Sequence, residues 1–504
     1  MAEYLSPGVF IQERIEGARP IAGVATSVAS FVGKTERGPK EEAVLCSGYN
    51  DYERVFGGMK KFQFGGSEYE YFNMPLAIQS FIKNGGVRFY AVRVFDAGGA
   101  VAEYTINDGA TPVDKFTIKA KNEGIWGNRL AFTLKKNLAD DSKWDFTLFY
   151  KELPDDADSV VLETYEALSL SDPTSKYYFP TVVNGSSNYV EIVAETDADD
   201  LAAEIDTETN LADGTEPTDP TAINIEDGLE ALDVVNGMLM SMAPDFWDEV
   251  DGAVAKVLID DADRDMYRFA ILNVPKGKTP QEAQTHMTTT INKNSKRYAM
   301  YYPNVKVLDP LTAQSIVFTP VGHVGGCYAR TDINRNVAKA PAGITDGALR
   351  SILKLERTLK KSERDSVYPY RVNPLVDEPQ TGTAVWGCRT GSLDPAWRYI
   401  QITRLFQFLE KSTFEATHWV CFENNNPSTR LRVKLQMEGF LLNLFNEGYF
   451  AGASPAEAFQ VVCDKSNNPQ TAIDAGLLYC DIAVSPEKPS EFVVFRFSQK
   501  RKTA

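Results

Sequence analysis

The chain has 504 residues, 43% hydrophobic and 24% charged, which is more than one core can organise, so two to four domains are expected. Its formal net charge of −17 speaks against a nucleic-acid partner, and it holds no run of about 18 apolar residues that would cross a membrane as a helix. The opening Met1-Ala2-Glu3-Tyr4-Leu5 lacks a basic stretch followed by an apolar one, so no secretion signal is expected, and the six widely spaced cysteines (Cys46, Cys327, Cys388, Cys421, Cys463, Cys480) are expected to be reduced, buried thiols.

In chain order, residues 1–20 read as an extended arm in which Pro7 and Gly8 turn into a short strand, Val9-Phe10-Ile11. Residues 21–97 read as α/β. A strand is expected over 24–32. A helix is expected from Asn73, with Pro75 in its first turn and Ile78, Phe81 and Ile82 on one face, stopping at Asn84-Gly85-Gly86. A second strand follows over 87–95. Residues 98–225 change character: alternating runs at 115–119 and 145–150 predict half-buried strands of an inserted β-rich domain. The Asp/Glu/Thr-rich stretch 196–222 is read as mobile.

Residues 226–345 return to α/β, with strands at 267–274 and 297–302. Between them Thr279-Pro280-Gln281-Glu282 is a capping box with proline at the first helical position. The two α/β stretches, 21–97 and 226–345, are therefore expected to form one domain around the insert. Residues 346–504 read as a helix-rich last domain. Helical faces are expected from Leu349, Ile352, Leu353 and Leu359, from Trp397, Ile400, Leu405, Phe406 and Leu409, and from Leu431, Leu435, Leu442 and Phe445. The chain closes on a strand pattern, Phe492-Val493-Val494-Phe495-Arg496-Phe497.

Charge follows this division. From Glu152 to Glu230 there are 21 acidic residues and one basic residue, Lys176, so the acidity belongs to the insert.

Residue patterns that could carry chemistry fall short. Gly33-Lys34-Thr35 resembles the end of a phosphate loop, but the glycine needed five positions earlier is Val28. Asp261, Asp263 and Asp265 have calcium-loop spacing, but Met266 and Leu272 stand where glycine and glutamate are required. His323 and Cys327 are four apart, yet Gly325-Gly326 between them makes a helix there doubtful. With only His286, His323 and His418 and no G-x-S-x-G elbow, a hydrolase triad is poorly supplied. No catalytic residue, metal ligand or cofactor is expected.

Seven short motifs, in order, point elsewhere. They are Tyr4-Leu5-Ser6-Pro7-Gly8-Val9-Phe10-Ile11, Tyr49–Gly57, Phe81–Gly86, Ala340-Pro341-Ala342-Gly343, Trp386-Gly387-Cys388-Arg389-Thr390, Phe422-Glu423-Asn424-Asn425-Asn426 and Pro486–Phe492. The chain thereby resembles the contractile tail sheath family of bacteriophages and related injection machines over 1–97 and about 226–500. That resemblance implies a structural protein rather than an enzyme, with a subtilisin-like α/β domain, the variable insert, and a C-terminal domain completed by exchanged terminal strands. It further implies stacked six-membered rings of the chain around a tail tube protein, contacts with baseplate and tail terminator proteins, assembly in the host cytoplasm and residence in the virion. Neither nucleic acid nor a membrane is expected as a stable partner. A tailocin or toxin-delivery particle is the alternative within this class, and a subtilisin-like hydrolase the alternative outside it.

The residues support exchanged ends independently. Pro7 to Ile11 and Phe492, Val493, Val494, Phe495 and Phe497 are short apolar strands set off by glycine or proline, and a lone strand needs a sheet to join.

Overall fold

The computed structural model describes residues 21–491 except 65–66, 108–112, 153–157, 196–200, 202 and 379–381. The chain forms two compact units, one of residues 27–334 and 341–400, the other, among the described residues, of 21–26, 335–340 and 401–491.

The larger unit is built on an eight-stranded sheet. Its strands are β1 (Ala29–Gly33), β2 (Val44–Cys46), β3 (Phe89–Arg93), β4 (Leu239–Met242), β5 (Arg268–Asn273), β6 (Tyr298–Tyr302), β7 (Val372–Glu378) and β8 (Gly382–Val385). Their order is β2-β3-β1-β4-β5-β6-β7-β8; the six central strands are parallel, and β2 and β8 close the edges antiparallel. β1 and β6 are buried along their whole length, as expected for parallel strands covered on both faces. The first strand begins at Ala29 rather than Val24 because its neighbours β3 and β4 supply ladder partners only from there.

One face is covered by α1 (Asn73–Lys83) and later elements. α1 starts and stops within a residue of the expected points, and Gly85 after it has φ +111°. The capping box is present with both of its reciprocal bonds at the start of α3 (Pro280–Thr285), which follows α2 (Ala253–Arg264). The segment with His323 is helical after all: α4 runs Val321–Asn334 through Gly322, Gly325 and Gly326. A Cβ on Gly322 would lie 2.2 Å from the Ala77 carbonyl oxygen, and one on Gly326 2.3 Å from that of Phe81. The glycines let α4 lie against α1 at backbone distance, and that packing offsets their low helix propensity.

The helix expected from Leu349, Ile352, Leu353 and Leu359 does not form. The backbone bonds of this segment go to the stretch 304–306 instead: Leu353 N donates to the Lys306 carbonyl at 2.8 Å and Glu356 N to that of Asn304 at 2.8 Å. β7 then adds to β6 in parallel, so 346–400 extends the central sheet rather than opening the C-terminal unit.

The insert has its own antiparallel sheets. Ser159–Leu168, Trp144–Lys151, Leu130–Lys136 and Ile205–Asn210 form one in that order; Val190–Ala194, Asp114–Ala120 and Glu103–Asn107 form the other. Between them lies an aromatic core of Phe116, Phe132, Trp144, Phe146 and Phe179. Within the stretch read as mobile, Ile205–Asn210 is a strand bonded to Leu130–Lys136, because the neighbouring sheet edge satisfies its polar backbone.

The smaller unit holds α5 (Ile400–Thr417, all but its first residue), α6 (Pro427–Asn446) and a hairpin of β9 (Phe459–Val462) and β10 (Asp481–Val484). Phe408 on α5 meets Phe440 on α6 at 6.2 Å and stacks on Tyr449 at 5.9 Å. α6 buries Val433, Met437, Phe440, Leu441 and Leu444. The face expected from Leu431, Leu435 and Leu442 is therefore the outer one.

Candidate functional site

In open α/β sheets the carboxyl ends of the strands, where the strand order reverses, are the usual place for a ligand. Here that place, between β1 and β4, is filled by the chain itself. Lys34 N donates to Asp245 Oδ2 at 2.7 Å, and the Lys34 ammonium pairs with Asp219. Asp245 as a residue is half-buried but its carboxylate is enclosed, and this burial pushes its pKa up to about 6 against the pull of the Lys34 N–H.

The other candidates serve structure too. Arg268, wholly buried, holds Asp261 at 2.6 Å and Asp233 at 2.6 Å, while Asp263 accepts from Ser295 Oγ at 2.7 Å. Asp265 also pairs with Arg268, at 3.1 Å, so Asp261 and Asp265 are neutralised by one guanidinium while Asp263 is turned to Ser295. Burial holds His286 and His323 down to about 4 and raises the Cys327 thiol to about 12. Four cysteines are buried as expected, whereas Cys421 is exposed and Cys480 half-buried. Among the described residues no cluster of His, Cys, Asp and Glu is arranged to hold a metal, and no helix is long and apolar enough to cross a membrane.

The motif residues sit where the chain crosses itself. Trp386 N donates to the Pro374 carbonyl at 2.9 Å, and a Cβ on Gly387 would lie 2.7 Å from Asn373 Oδ1, so the chain can close on β7 only with glycine there. Asn373 grips Arg389 from both sides, accepting from its N–H at 2.7 Å and donating to its carbonyl at 2.7 Å. The Arg389 guanidinium lies 4.0 Å above the Tyr368 ring. Thr390 Oγ1 donates to the Trp397 carbonyl at 2.7 Å, just before α5 begins. Asn84, from the motif after α1, donates to the Arg350 carbonyl at 3.1 Å and accepts from Arg350 N at 2.7 Å. These positions are joints, with Trp386 alone of its motif turning a large apolar surface partly outward.

The loop between α5 and α6 is different. Asn425 holds its base, donating to the Leu477 carbonyl at 2.8 Å and accepting from Arg430 Nη1 at 3.0 Å. Phe422 has φ +68° and is fully exposed, and Glu423 is exposed beside it. An aromatic side chain held outward on left-handed backbone costs energy without gaining burial in this chain. On α6, Leu431, Leu435 and Leu442 are also turned outward, at 53%, 50% and 41% exposure. Sequence periodicity groups these leucines correctly on one face, but periodicity cannot tell an inner face from an outer one.

The arm residues Pro7, Gly8, Val9, Phe10 and Ile11, and Phe492, Val493, Val494, Phe495 and Phe497, lie outside the described residues. Their attachment points are described. Val24 N donates to Ser412 Oγ at 3.1 Å and Arg404 Nη2 to the Thr26 carbonyl at 2.9 Å, so the segment following the first arm is tied to α5. β10 leads into the last segment, with Phe450 bridged to Pro486 on the way.

Comparison with known proteins agrees with these motifs. The model of the phage tail sheath protein central domain matches residues 219–391, and that of the phage tail sheath C-terminal domain matches 392–500. The tail sheath protein of Vibrio phage KVP40 is 28% identical over 231 residues, 45% of this chain and 34% of that protein. The match thus spans about a third of that relative's length. Among solved structures, the helical sheath of the anti-feeding prophage in its contracted state aligns with TM-score 0.60 and 21% identity, covering 98% of this chain and 99% of that one. The sheath tail protein of Listeria innocua gives TM-score 0.64 at 15% identity, with 93% and 96% covered. These likenesses extend the shared fold, a mixed α/β multidomain architecture, beyond the stretch where sequence similarity is detected. With both family models matched end to end across more than half of its length, the chain belongs to the phage tail sheath family.

Proposed function

We propose that this chain is the subunit of a contractile sheath. It polymerises with copies of itself as stacked six-membered rings around a tail tube, meets baseplate and terminator proteins at the ends, and shortens to drive the tube through a cell envelope. The observation that carries this reading is the match of both sheath family models across 219–500. The mechanism needs no bond chemistry, only two lattice packings of which the contracted one is lower in free energy. The subtilisin-like likeness of the α/β domain is architectural, and the self-filled β1/β4 crevice supports a role without substrate.

In this reading the arms 1–20 and 490–504 add strands to neighbouring subunits. Phe422 and the Leu431-Leu435-Leu442 face meet the tube or an adjacent subunit, which accounts for their exposure in the single chain. The subunits assemble in the host cytoplasm and end in the particle. A toxin-delivery particle is the second reading, favoured by the anti-feeding prophage sheath, whose fold follows 98% of this chain. Electron microscopy of the purified chain tests the class: hollow tubes are expected. Discrete monomers carrying esterase or protease activity would instead establish the hydrolase alternative.

A further inference from the structure

Cys463 directly follows β9 and Cys480 directly precedes β10. The hairpin register runs Phe459↔Val484, Gln460↔Ala483, Val461↔Ile482 and Val462↔Asp481, so the next rung sets Cys463 opposite Cys480. Opposed residues of an antiparallel pair have Cα atoms about 4.5–5.5 Å apart. That lies inside the roughly 4.4–6.8 Å range that a disulfide accepts. The two thiols are within hydrogen-bonding reach of each other, and both are free.

The loop that joins them is already ordered. Asn467 Nδ2 donates to the Val462 carbonyl at 2.7 Å and to Asp481 Oδ2 at 2.9 Å. Asn468 Nδ2 donates to the Tyr479 carbonyl at 2.9 Å, and Tyr479 N donates back to Asn468 Oδ1 at 2.7 Å. The rung that carries the two sulfur atoms is thus flanked by contacts that do not involve them.

We propose that Cys463 and Cys480 form a thiol–disulfide site, which a small-molecule disulfide of the glutathione class converts into a cross-strand disulfide at the loop end of the β9–β10 hairpin. Cys480 is the half-buried member and is reached first. Its deprotonated Sγ attacks one sulfur of the external disulfide; that S–S bond breaks, and one small thiolate leaves. Cys463, deprotonated in turn, attacks Cys480 Sγ and displaces the second small thiol. The two protein thiols have then lost two electrons and two protons, and the external disulfide has gained both and become two thiols. Burial pushes the Cys480 thiol up to about 12 and also raises Cys463, so the attacking thiolate is scarce at neutral pH. The site therefore stays reduced in a reducing cell and reacts slowly outside one. Because β10 leads into the C-terminal segment, the bond pins the start of the strand from which that segment departs. This consequence rests on the sheath reading, whereas the thiol chemistry does not.

The test uses the full chain, incubated with oxidised glutathione and analysed by intact mass and peptide mapping. The folded wild type is expected to lose the mass of two hydrogens, to yield a Cys463–Cys480 linked peptide, and to revert with dithiothreitol. The rate should rise about tenfold per pH unit below the thiol pKa values. In Cys463→Ser the reaction should stop at a glutathione adduct on Cys480. The proposal is overturned by a lasting adduct on wild-type Cys480, by a link from either residue to exposed Cys421, or by unreacted Cys463 and Cys480 in a chain whose Cys421 has been modified. Tube formation by the same samples, read by microscopy, reports separately on the sheath reading.

Discussion

Single residues in this chain matter mostly through what encloses them. Asp245 is a carboxylate held between two strand ends, with its pKa raised to about 6 by burial. Its folded form binds a proton more tightly than its unfolded form, so this group's contribution to stability falls as pH rises from about 4 to about 6 and is flat above. Asp245→Asn keeps an acceptor for the Lys34 N–H and removes the charge. Thermal unfolding should show the variant gaining on wild type between pH 4.5 and 7.5; an equal difference at both ends would mean that the carboxylate is not enclosed. His286 and His323 act with the opposite sign. Burial holds both near 4, so the unfolded chain takes up protons first and their contribution is lost as pH falls from about 6.5 to about 4.

At the scale of one element, α6 separates two roles that look alike in sequence. Leu441 is buried and Leu435 is half exposed, although both fit an apolar helix pattern. Leu441→Ala should cost about 2–5 kcal/mol of stability, as a core cavity does, visible as a lowered denaturation midpoint. Leu435→Glu should leave the midpoint within about 0.5 kcal/mol of wild type and reduce tube formation. If Leu435→Glu still builds normal tubes, the outer face of α6 is not a contact surface. The arms are argued at the same scale. Val493, Phe495 and Phe497 alternate in sequence, and burying all three against a neighbour is worth roughly 5–9 kcal/mol. Ordering the arm and fixing the subunits consume much of this, so one arm alone holds weakly and two arms hold by effective concentration. Removing residues 1–17 or 490–504 should leave a folded monomer, by circular dichroism, that no longer polymerises. Unfolding on truncation would show that the arms complete their own subunit's core.

At the scale of the whole molecule, the question is how the acidic insert is attached. Its charge suits a peripheral position, where ions screen it over about 8 Å at physiological salt. Its root, however, is a buried polar cluster. Glu36 accepts from Tyr150 Oη at 3.1 Å and faces Arg129 at 3.6 Å, and Arg93 donates to the carbonyls of Gly38 at 2.9 Å and Glu123 at 2.8 Å. Arg129, Arg93 and the Glu36 side chain are almost wholly buried. Deleting 98–222 removes Tyr150, Arg129 and Glu123, leaves of these contacts only the Arg93–Gly38 bond, and should cost about 3–5 kcal/mol, the penalty of an abandoned buried charge. Adding Glu36→Gln and Arg93→Met to the deletion should recover most of that loss in a melting experiment, and the repaired chain should still form tubes. A repaired chain that folds but never assembles would make the insert a lattice element.

Much was legible in the sequence because it depends on neighbours along the chain. The Thr279–Glu282 capping box, the stop of α1 at Asn84-Gly85 and the alternating strand 144–151 are local preferences that tertiary structure left in place. The ordered motifs likewise carried the family without any coordinates. Other features required partners far away in sequence. α4 keeps its glycines because α1 lies against them, and the leucines at 349–359 give up a helix because the stretch 304–306 takes their backbone bonds. Stretch 205–210, polar enough to read as mobile, is ordered by an adjacent sheet edge. The sidedness of α6 and the opposed pair Cys463–Cys480, 17 positions apart in the chain, are of the same kind. Periodicity sets which residues share a face or a rung spacing, but which face turns inward, and which rungs meet, is decided only by what the folded chain packs against them.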